Sequence, residues 1–336
     1  MKCARRARTV AGMERNEGHV SGSRPVILIG FEDTGTGRDA LALGAELARL
    51  LAASVVVSTV LPYPRHLLGP ADLERALAVD TAESFAFVAD ELADLDAGTV
   101  AVADHSPAAA LERIAAAEGA NLIVVGSASH GPRGLVRHGS VGTSLLHGAP
   151  CAVAVAPVGF ALDQAPVHRV GAGSGRIGVG FDGSPEAWAA LETGIAMARR
   201  ADAELRLIGV AEPPSMGYSE ALNVLTAEEV FASIRDEMLG ILELGTARVA
   251  DSVPVDARPE EGHPAARLIA ATTELDLLVL GSRGYGPLRR TLLGSVSRVV
   301  LSGARCPVLV LPRAAGTDPL GVLHPSESSS RERIAG

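Results

Sequence analysis

The chain has 336 residues, more than one ordinary domain needs and about right for two. Hydrophobic residues make up 47% but aromatics only 3%, so the cores must be built from Ala, Val, Leu and Ile, which suits helices lying on parallel sheets. A net charge of −9 argues against a nucleic-acid backbone as the main partner, and no segment approaches the ~20 apolar residues of a membrane span; together these read as a soluble, cytoplasmic protein.

In chain order, residues 1–24 are basic at their start, lack periodicity and carry no apolar stretch of signal-peptide length, so they read as a disordered tail. Lys2, within that tail, is the only lysine in the chain. A P-loop and a pyridoxal Schiff base both need a lysine and are thereby excluded. Strands are expected near 26–31, 54–60, 99–103, 121–126 and 151–156, and Val26–Ile29 and Leu122–Val125 have the continuous aliphatic character of buried parallel strands. Ser106-Pro107 places a capping hydroxyl before a proline at the first helical position. Residues 158–175, with Pro166 and Gly171-Ala172-Gly173-Ser174-Gly175, read as a linker.

The second half runs through the same order, with strands near 176–181, 204–210, 253–258, 276–281 and 307–311. Ser184-Pro185 repeats the helix-opening signal, and Thr226 with Glu229 is a capping box before a face of Val230, Ile234, Met238 and Ile241. Residues 313–336 are serine-rich and aperiodic, a second disordered tail.

The two halves are copies. Gly126-Ser127-Ala128-Ser129-His130-Gly131-Pro132 returns as Gly281-Ser282-Arg283-Gly284-Tyr285-Gly286-Pro287, 155 residues later. The same offset pairs Gly139-Ser140-Val141 with Gly294-Ser295-Val296, Cys151 with Cys306 and Pro157 with Pro312. Near the start of each copy the offset is 150, pairing Gly30-Phe31-Glu32 with Gly180-Phe181-Asp182 and Gly44 with Gly194. Strands alternating with helices predict a doubly wound parallel sheet in each copy, 25–157 and 176–312, with helices on both faces.

Ligands of such sheets bind at the carboxyl ends of the strands, where strand order reverses. In the second copy the loops there are Asp182-Gly183-Ser184 after the first strand, and Gly281-Ser282-Arg283-Gly284, then nine residues, then Gly294-Ser295-Val296-Ser297 after the fourth. Gly281 and Gly284 would let the backbone approach a ligand, and the helix opening at Ser295 would present N–H groups and the Ser295 and Ser297 hydroxyls to a phosphate. Arg283, Arg289 and Arg290 in the same loop would neutralise phosphate charge. Asp182 also has a plain reading, as the cap of the turn before Ser184, and the glycines one as tight connections.

These residues, with the trailing Cys306-Pro307-Val308-Leu309-Val310, resemble the universal stress protein domain, whose ATP-binding members carry G-x2-G-x9-G-[ST]; here Gly281, Gly284, Gly294 and Ser295 meet that motif. The resemblance covers both copies. It implies five-stranded sheets of order 3-2-1-4-5, of the adenine nucleotide alpha hydrolase-like kind, binding ATP or a related adenine nucleotide with or without Mg2+. It implies that Asp182 contacts the ribose or adenine side, that Val210 meets the adenine through backbone groups, and that the glycine loop and Ser295 hold the phosphates. The last strand of each copy lies at a sheet edge, where an apolar strand invites pairing. Family members dimerise there, so the resemblance implies an intramolecular pseudo-dimer, with a homodimer of chains also open.

The first copy departs from the pattern: Ser129 replaces the second motif glycine and Glu32 the aspartate, so weak or absent nucleotide binding is expected there. Cys151 and Cys306 read as small buried hydrophobes, His130 and His138 as surface residues, His105 and His263 as turn residues, and Trp188 as core. No HExxH or GxSxG is present, no GxGxxG follows a first strand, and no paired nucleophile and base is recognisable, so no catalytic residue and no resident metal are expected. The expected function is a stress-response sensor or regulator that binds nucleotide in the second copy and is read by a regulatory protein partner. The alternatives are a nucleotide-independent interaction scaffold and a slow ATP hydrolase.

Overall fold

The computed structural model describes residues 24–62, 69–128, 134–136, 139–162, 175–214, 226–249, 252–282 and 295–312, together with Arg8–Thr9 and Leu320. In the first half lie β1 (Arg8–Thr9), β2 (Val26–Gly30), α1 (Gly35–Leu51), β3 (Ser54–Leu61), α2 (Pro70–Glu91), β4 (Ala97–Ala103), α3 (Pro107–Glu118), β5 (Leu122–Gly126), α4 (Ser140–Gly148) and β6 (Ala152–Ala156). The second half repeats the plan as β7 (Arg176–Gly180), α5 (Pro185–Ala201), β8 (Glu204–Ala211), α6 (Ala227–Val249), β9 (Val255–Glu261), α7 (Pro264–Ala271), β10 (Leu277–Gly281), α8 (Ser295–Val300) and β11 (Val308–Leu311).

Several helices begin where the sequence supplies caps. Ser106 Oγ accepts from the Ala109 N–H at 3.3 Å and Ser184 Oγ from Ala187 at 3.2 Å, each just before a proline at the first helical position. The predicted box forms ahead of α6: the Thr226 N–H donates to Glu229 Oε2 at 2.7 Å and the Glu229 N–H to Thr226 Oγ1 at 3.2 Å. α1 and α5 end on left-handed residues at matching positions, Ala52 (φ 51°) and Asp202 (φ 50°).

All pairings within a copy are parallel, and the strand order is β4-β3-β2-β5-β6 in the first and β9-β8-β7-β10-β11 in the second, the order 3-2-1-4-5 in both. Matching side chains fasten the strand starts: Asn121 Oδ1 accepts from the Val26 N–H at 3.0 Å, and Asp276 Oδ2 from the Arg176 N–H at 2.6 Å. The two sheets then join. β6 and β11 run antiparallel with Val153, Ala154 and Val155 opposite Val310, Leu309 and Val308, all buried, which makes one sheet of eleven strands. This pairing covers the apolar strand edge that each copy would otherwise leave open.

Two large cores sandwich the sheet, and each contains residues of both copies, while a small third cluster of Leu77, Ala101 and Ala103 lies under α2. One packs α1 and α5 against it through Leu43, Leu47, Leu191 and Ile195; the other packs α3, α4, α7 and α8 through Leu111, Ile114, Leu145, Leu268 and Val300. At the seam the Val136 N–H also donates to the Ala304 carbonyl at 2.6 Å, and Val136 is fully buried.

Order extends beyond the bounds expected from sequence. β1, inside the segment read as a disordered tail, pairs with β4 through Arg8↔Val100 and Thr9↔Ala101. The first residues of the expected linker fold back: the buried Asp39 of α1 accepts from the Gly159 and Ala161 N–H groups, both at 2.8 Å, and Phe160 enters the core. Burial pushes the Asp39 carboxyl up, against the pull of those two N–H groups. Leu320, in the segment read as the other tail, is buried in the same core.

Candidate functional site

Each copy has a cleft at the carboxyl ends of its strands, at the point where strand order reverses. In the second copy it measures about 620 Å³ and lies between the ends of β7, β8 and β10, under α6 and beside α8. Of the residues singled out from sequence, Asp182, Val210, Gly281, Ser295, Val296 and Ser297 all line it. Arg283, Gly284 and Gly294, like Arg289 and Arg290, lie outside the described residues.

Asp182 performs the turn role that its plain reading assigned. Its Oδ1 accepts from the Ser184 N–H at 3.1 Å and the Ser184 hydroxyl at 2.6 Å, while Ser184 caps α5. Between them Gly183 has φ +75°, which a side chain would strain, and a Cβ there would meet Ile241 at 3.2 Å. The carboxylate is therefore held in place at the cleft wall.

Gly281 also has a packing reason. A Cβ at Gly281 would lie 2.5 Å from the Glu186 carbonyl oxygen, and one at Gly126 would fall still closer to that of Thr36. The missing side chain makes room for the first turn of α5 or α1. Ser297 is buried and its hydroxyl donates to the Gly281 carbonyl at 3.3 Å, tying α8 to the end of β10.

Other lining residues carried no signal of a site. Ile234, Met238 and Ile241, read from their spacing as a core face, form a wall of the cleft together with Ile208, Pro264 and Leu268. Carboxylates contribute Asp182, Glu186, Glu212 and Glu237; the other ionisable groups among the described lining residues are Arg298 and His263. His263 Nε2 stands 3.9 Å from Glu212 Oε1. Trp188 packs edge-on to Phe181, ring centroids 4.9 Å apart, against the core as expected.

The first copy's cleft is smaller, about 420 Å³, and is lined by Glu32, Thr34, Thr36, Ser58, Val60, Leu111, Val125, Ser127, Gly139 and Val141 among others. Its first turn is built differently: the Thr34 N–H donates to the Glu32 backbone carbonyl at 2.7 Å, Asp33 pairs with Arg38 at 2.9 Å, and Glu32 is exposed. Ser129, His130 and His138 lie outside the described residues.

Cys151 and Cys306 are buried, free and line neither cleft. Burial pushes the Cys151 thiol up to about 12 and that of Cys306 upward as well, so both stay protonated and inert at neutral pH. Among the described residues no group of three His, Cys, Asp or Glu side chains is placed to hold a metal ion, and no helix is long and apolar enough to cross a membrane.

The model of the universal stress protein family matches the chain twice, over residues 24–157 and 173–312. A universal stress protein of Mycolicibacterium smegmatis is 30% identical over 301 residues, 85% of this chain and 96% of that relative. One from Mycobacterium tuberculosis is 34% identical over 199 residues, 57% of this chain and only 61% of that relative's own length. A solved universal stress protein from Archaeoglobus fulgidus is 20% identical with a TM-score of 0.62, covering 86% of this chain and 98% of that one, a likeness of fold.

Proposed function

The chain belongs to the universal stress protein family, as two such domains in tandem, and we propose that its second domain binds ATP or a related adenine nucleotide to act as a cytoplasmic stress sensor or regulator. The observation that carries this reading is the meeting of Asp182, Val210, Gly281, Ser295, Val296 and Ser297 in one cleft at the strand-order switch point. At about 620 Å³ the cleft falls within the few hundred to about 1,000 Å³ of small-molecule sites.

In this reading the ribose lies toward Asp182 and the adenine between Ile208, Val210 and the α6 wall of Ile234, Met238 and Ile241. The phosphates lie toward Ser295 and the loop that carries Arg283, Gly284 and Gly294. The carboxylates of the cleft disfavour a bare triphosphate, so the nucleotide enters with Mg2+ on its own phosphates instead of meeting a resident metal. Occupancy is read by a regulatory protein partner, and any hydrolysis is slow and incidental.

Calorimetric titration of Mg–ATP into the full chain tests this. One saturable site is expected, lost in Gly294→Asp and Gly284→Asp and weakened about tenfold in Asp182→Ala, the equivalent of about 1.4 kcal/mol. An intact chain that binds no adenine nucleotide would overturn the reading in favour of an interaction scaffold. Binding that survives both glycine substitutions would move the site elsewhere.

A further inference from the structure

Asp39 is an acid on the core side of α1, only 2% exposed, and helix packing gives no reason for it. A buried carboxylate is unfavourable unless hydrogen bonds replace its water. At the matching place in α5 stands Ala189, and α5 packs on its sheet without an acid there. The two bonds that Asp39 accepts, from the Gly159 and Ala161 N–H groups, hold the turn that follows β6. The carboxylate therefore serves that turn.

Val158, in the same turn, is bonded in both directions to the stretch between β5 and α4. The Gly134 N–H donates to its carbonyl at 2.7 Å, and its own N–H donates to the Leu135 carbonyl at 3.1 Å. The ends of that stretch, Ser127 and Ala128 on one side and Gly139 on the other, line the first cleft, as do Thr36 and Gly37 of α1. Its middle reaches the second domain, where the Val136 N–H donates to the Ala304 carbonyl. The Ala304 N–H in turn donates to the Val300 carbonyl at 2.9 Å, and that of Leu301 to Ser297 at 3.0 Å, which carries the ladder into α8. α8 is a wall of the second cleft.

A hydrogen-bonded path thus runs from α1, through the turn after β6 and Gly134–Val136, to the helix at the other cleft. Val136 and Ala304 are fully buried, so a broken bond between them leaves both groups unpaired and away from water. Such a step is either made or lost, with little between. We infer that Asp39 is the latch of an interdomain coupling device: while it holds the turn after β6, the 134–136 segment at the first cleft and the α8 wall of the second move as one unit. As regulation of nucleotide binding this rests on the function proposed above; as a mechanical link it does not.

Residue-resolved amide hydrogen exchange of the full chain tests the link with no ligand present. Asp39→Asn keeps the shape but turns an amide donor toward one of the two N–H groups. It is expected to speed exchange about tenfold at Gly159 and Ala161, at Gly134 and Val136, and across the seam at Leu301 and Ala304. The Leu205–Ile208 amides of β8, off the path, are expected to stay unchanged. Val136→Ala keeps the latch and loosens the buried step, so Leu301 and Ala304 are expected to speed up while Gly159 and Ala161 stay protected. Acceleration confined to Gly159 and Ala161 in Asp39→Asn, no change at Leu301 and Ala304 in Val136→Ala, or acceleration that includes β8 in both variants would each overturn the inference. Linkage is reciprocal, so Mg–ATP held against α8 should slow exchange at Val136 in the parent chain and less in Asp39→Asn. Binding seen by calorimetry without that slowing would also overturn the coupling. Absence of any binding heat would instead be the failure of the nucleotide reading alone, with the ligand-free exchange left to decide the link.

Discussion

At matching positions of matching folds, the first domain presents Glu32, Thr34 and Ser58 to its cleft, and the second presents Asp182, Ser184 and Ile208. Elsewhere the copies kept the same solutions: Gly126 and Gly281 under the first helical turn, Asn121 and Asp276 across the strand starts, buried Cys151 and Cys306. What packs the sheet is held in common, as are several cleft positions such as Val60 with Val210 and Pro107 with Pro264; the turn after the first strand and Ser58 against Ile208 differ. One chain with two copies thus has one sheet to maintain and two clefts free to differ.

The largest expected effect breaks the comparison by separating the domains. Leu309, fully buried opposite Ala154 in the antiparallel seam, belongs to a core that contains both copies. Leu309→Asp buries an unpaired carboxylate and is expected to cost about 4 kcal/mol. In urea, far-UV circular dichroism follows both domains, while fluorescence of Trp188, the only tryptophan, follows the second. The two signals are expected to coincide in the parent chain and to separate in the variant. A loss under about 1 kcal/mol with coincident signals would show that the seam contributes little.

Next in size are the shared glycines. Gly126→Ala and Gly281→Ala each drive a methyl into a helix backbone that is pinned by its own hydrogen bonds, and overpacking of this kind costs about 1–3 kcal/mol or more. Gly126→Ala is expected to be the worse, since its Cβ comes closer to the carbonyl it meets. Urea midpoints of the two variants check the order. If Gly281→Ala instead left stability intact and abolished nucleotide binding, the glycine would serve the ligand and not the helix.

These glycines mark the limit of what a sequence can specify locally. The spacing of Gly281 and Ser295 located the cleft, because loops at strand ends converge wherever parallel strands reverse their order. It could not say which neighbour occupies the space of an absent Cβ. The face of Ile234, Met238 and Ile241 was legible as apolar, but periodicity reports that a face is covered and not whether protein or ligand covers it. Val136, Leu320 and Arg8–Thr9 dock through long-range contacts that have no local signature.

The smallest effect sharpens the comparison at the helices that flank the sheet in matching places. α2 opens on Gly69-Pro70 with no side-chain cap, whereas α6 opens on the Thr226–Glu229 box. Thr226→Ala is expected to cost about 1 kcal/mol, seen in Trp188 fluorescence and confined to the second domain once the seam is broken. The effect should depend on pH with a definite sign. The Thr226 N–H and hydroxyl hold the Glu229 carboxyl below its ordinary value of 4.5. A group with a depressed folded value stabilises above its unfolded value and loses that contribution as pH falls through the folded one. The gap between parent and Thr226→Ala should therefore be full near neutrality and narrow below about pH 4.5. Glu229→Gln, which keeps the hydroxyl cap but removes the charge, should abolish that narrowing; a gap unchanged down to pH 3 would mean that the box works through Thr226 alone.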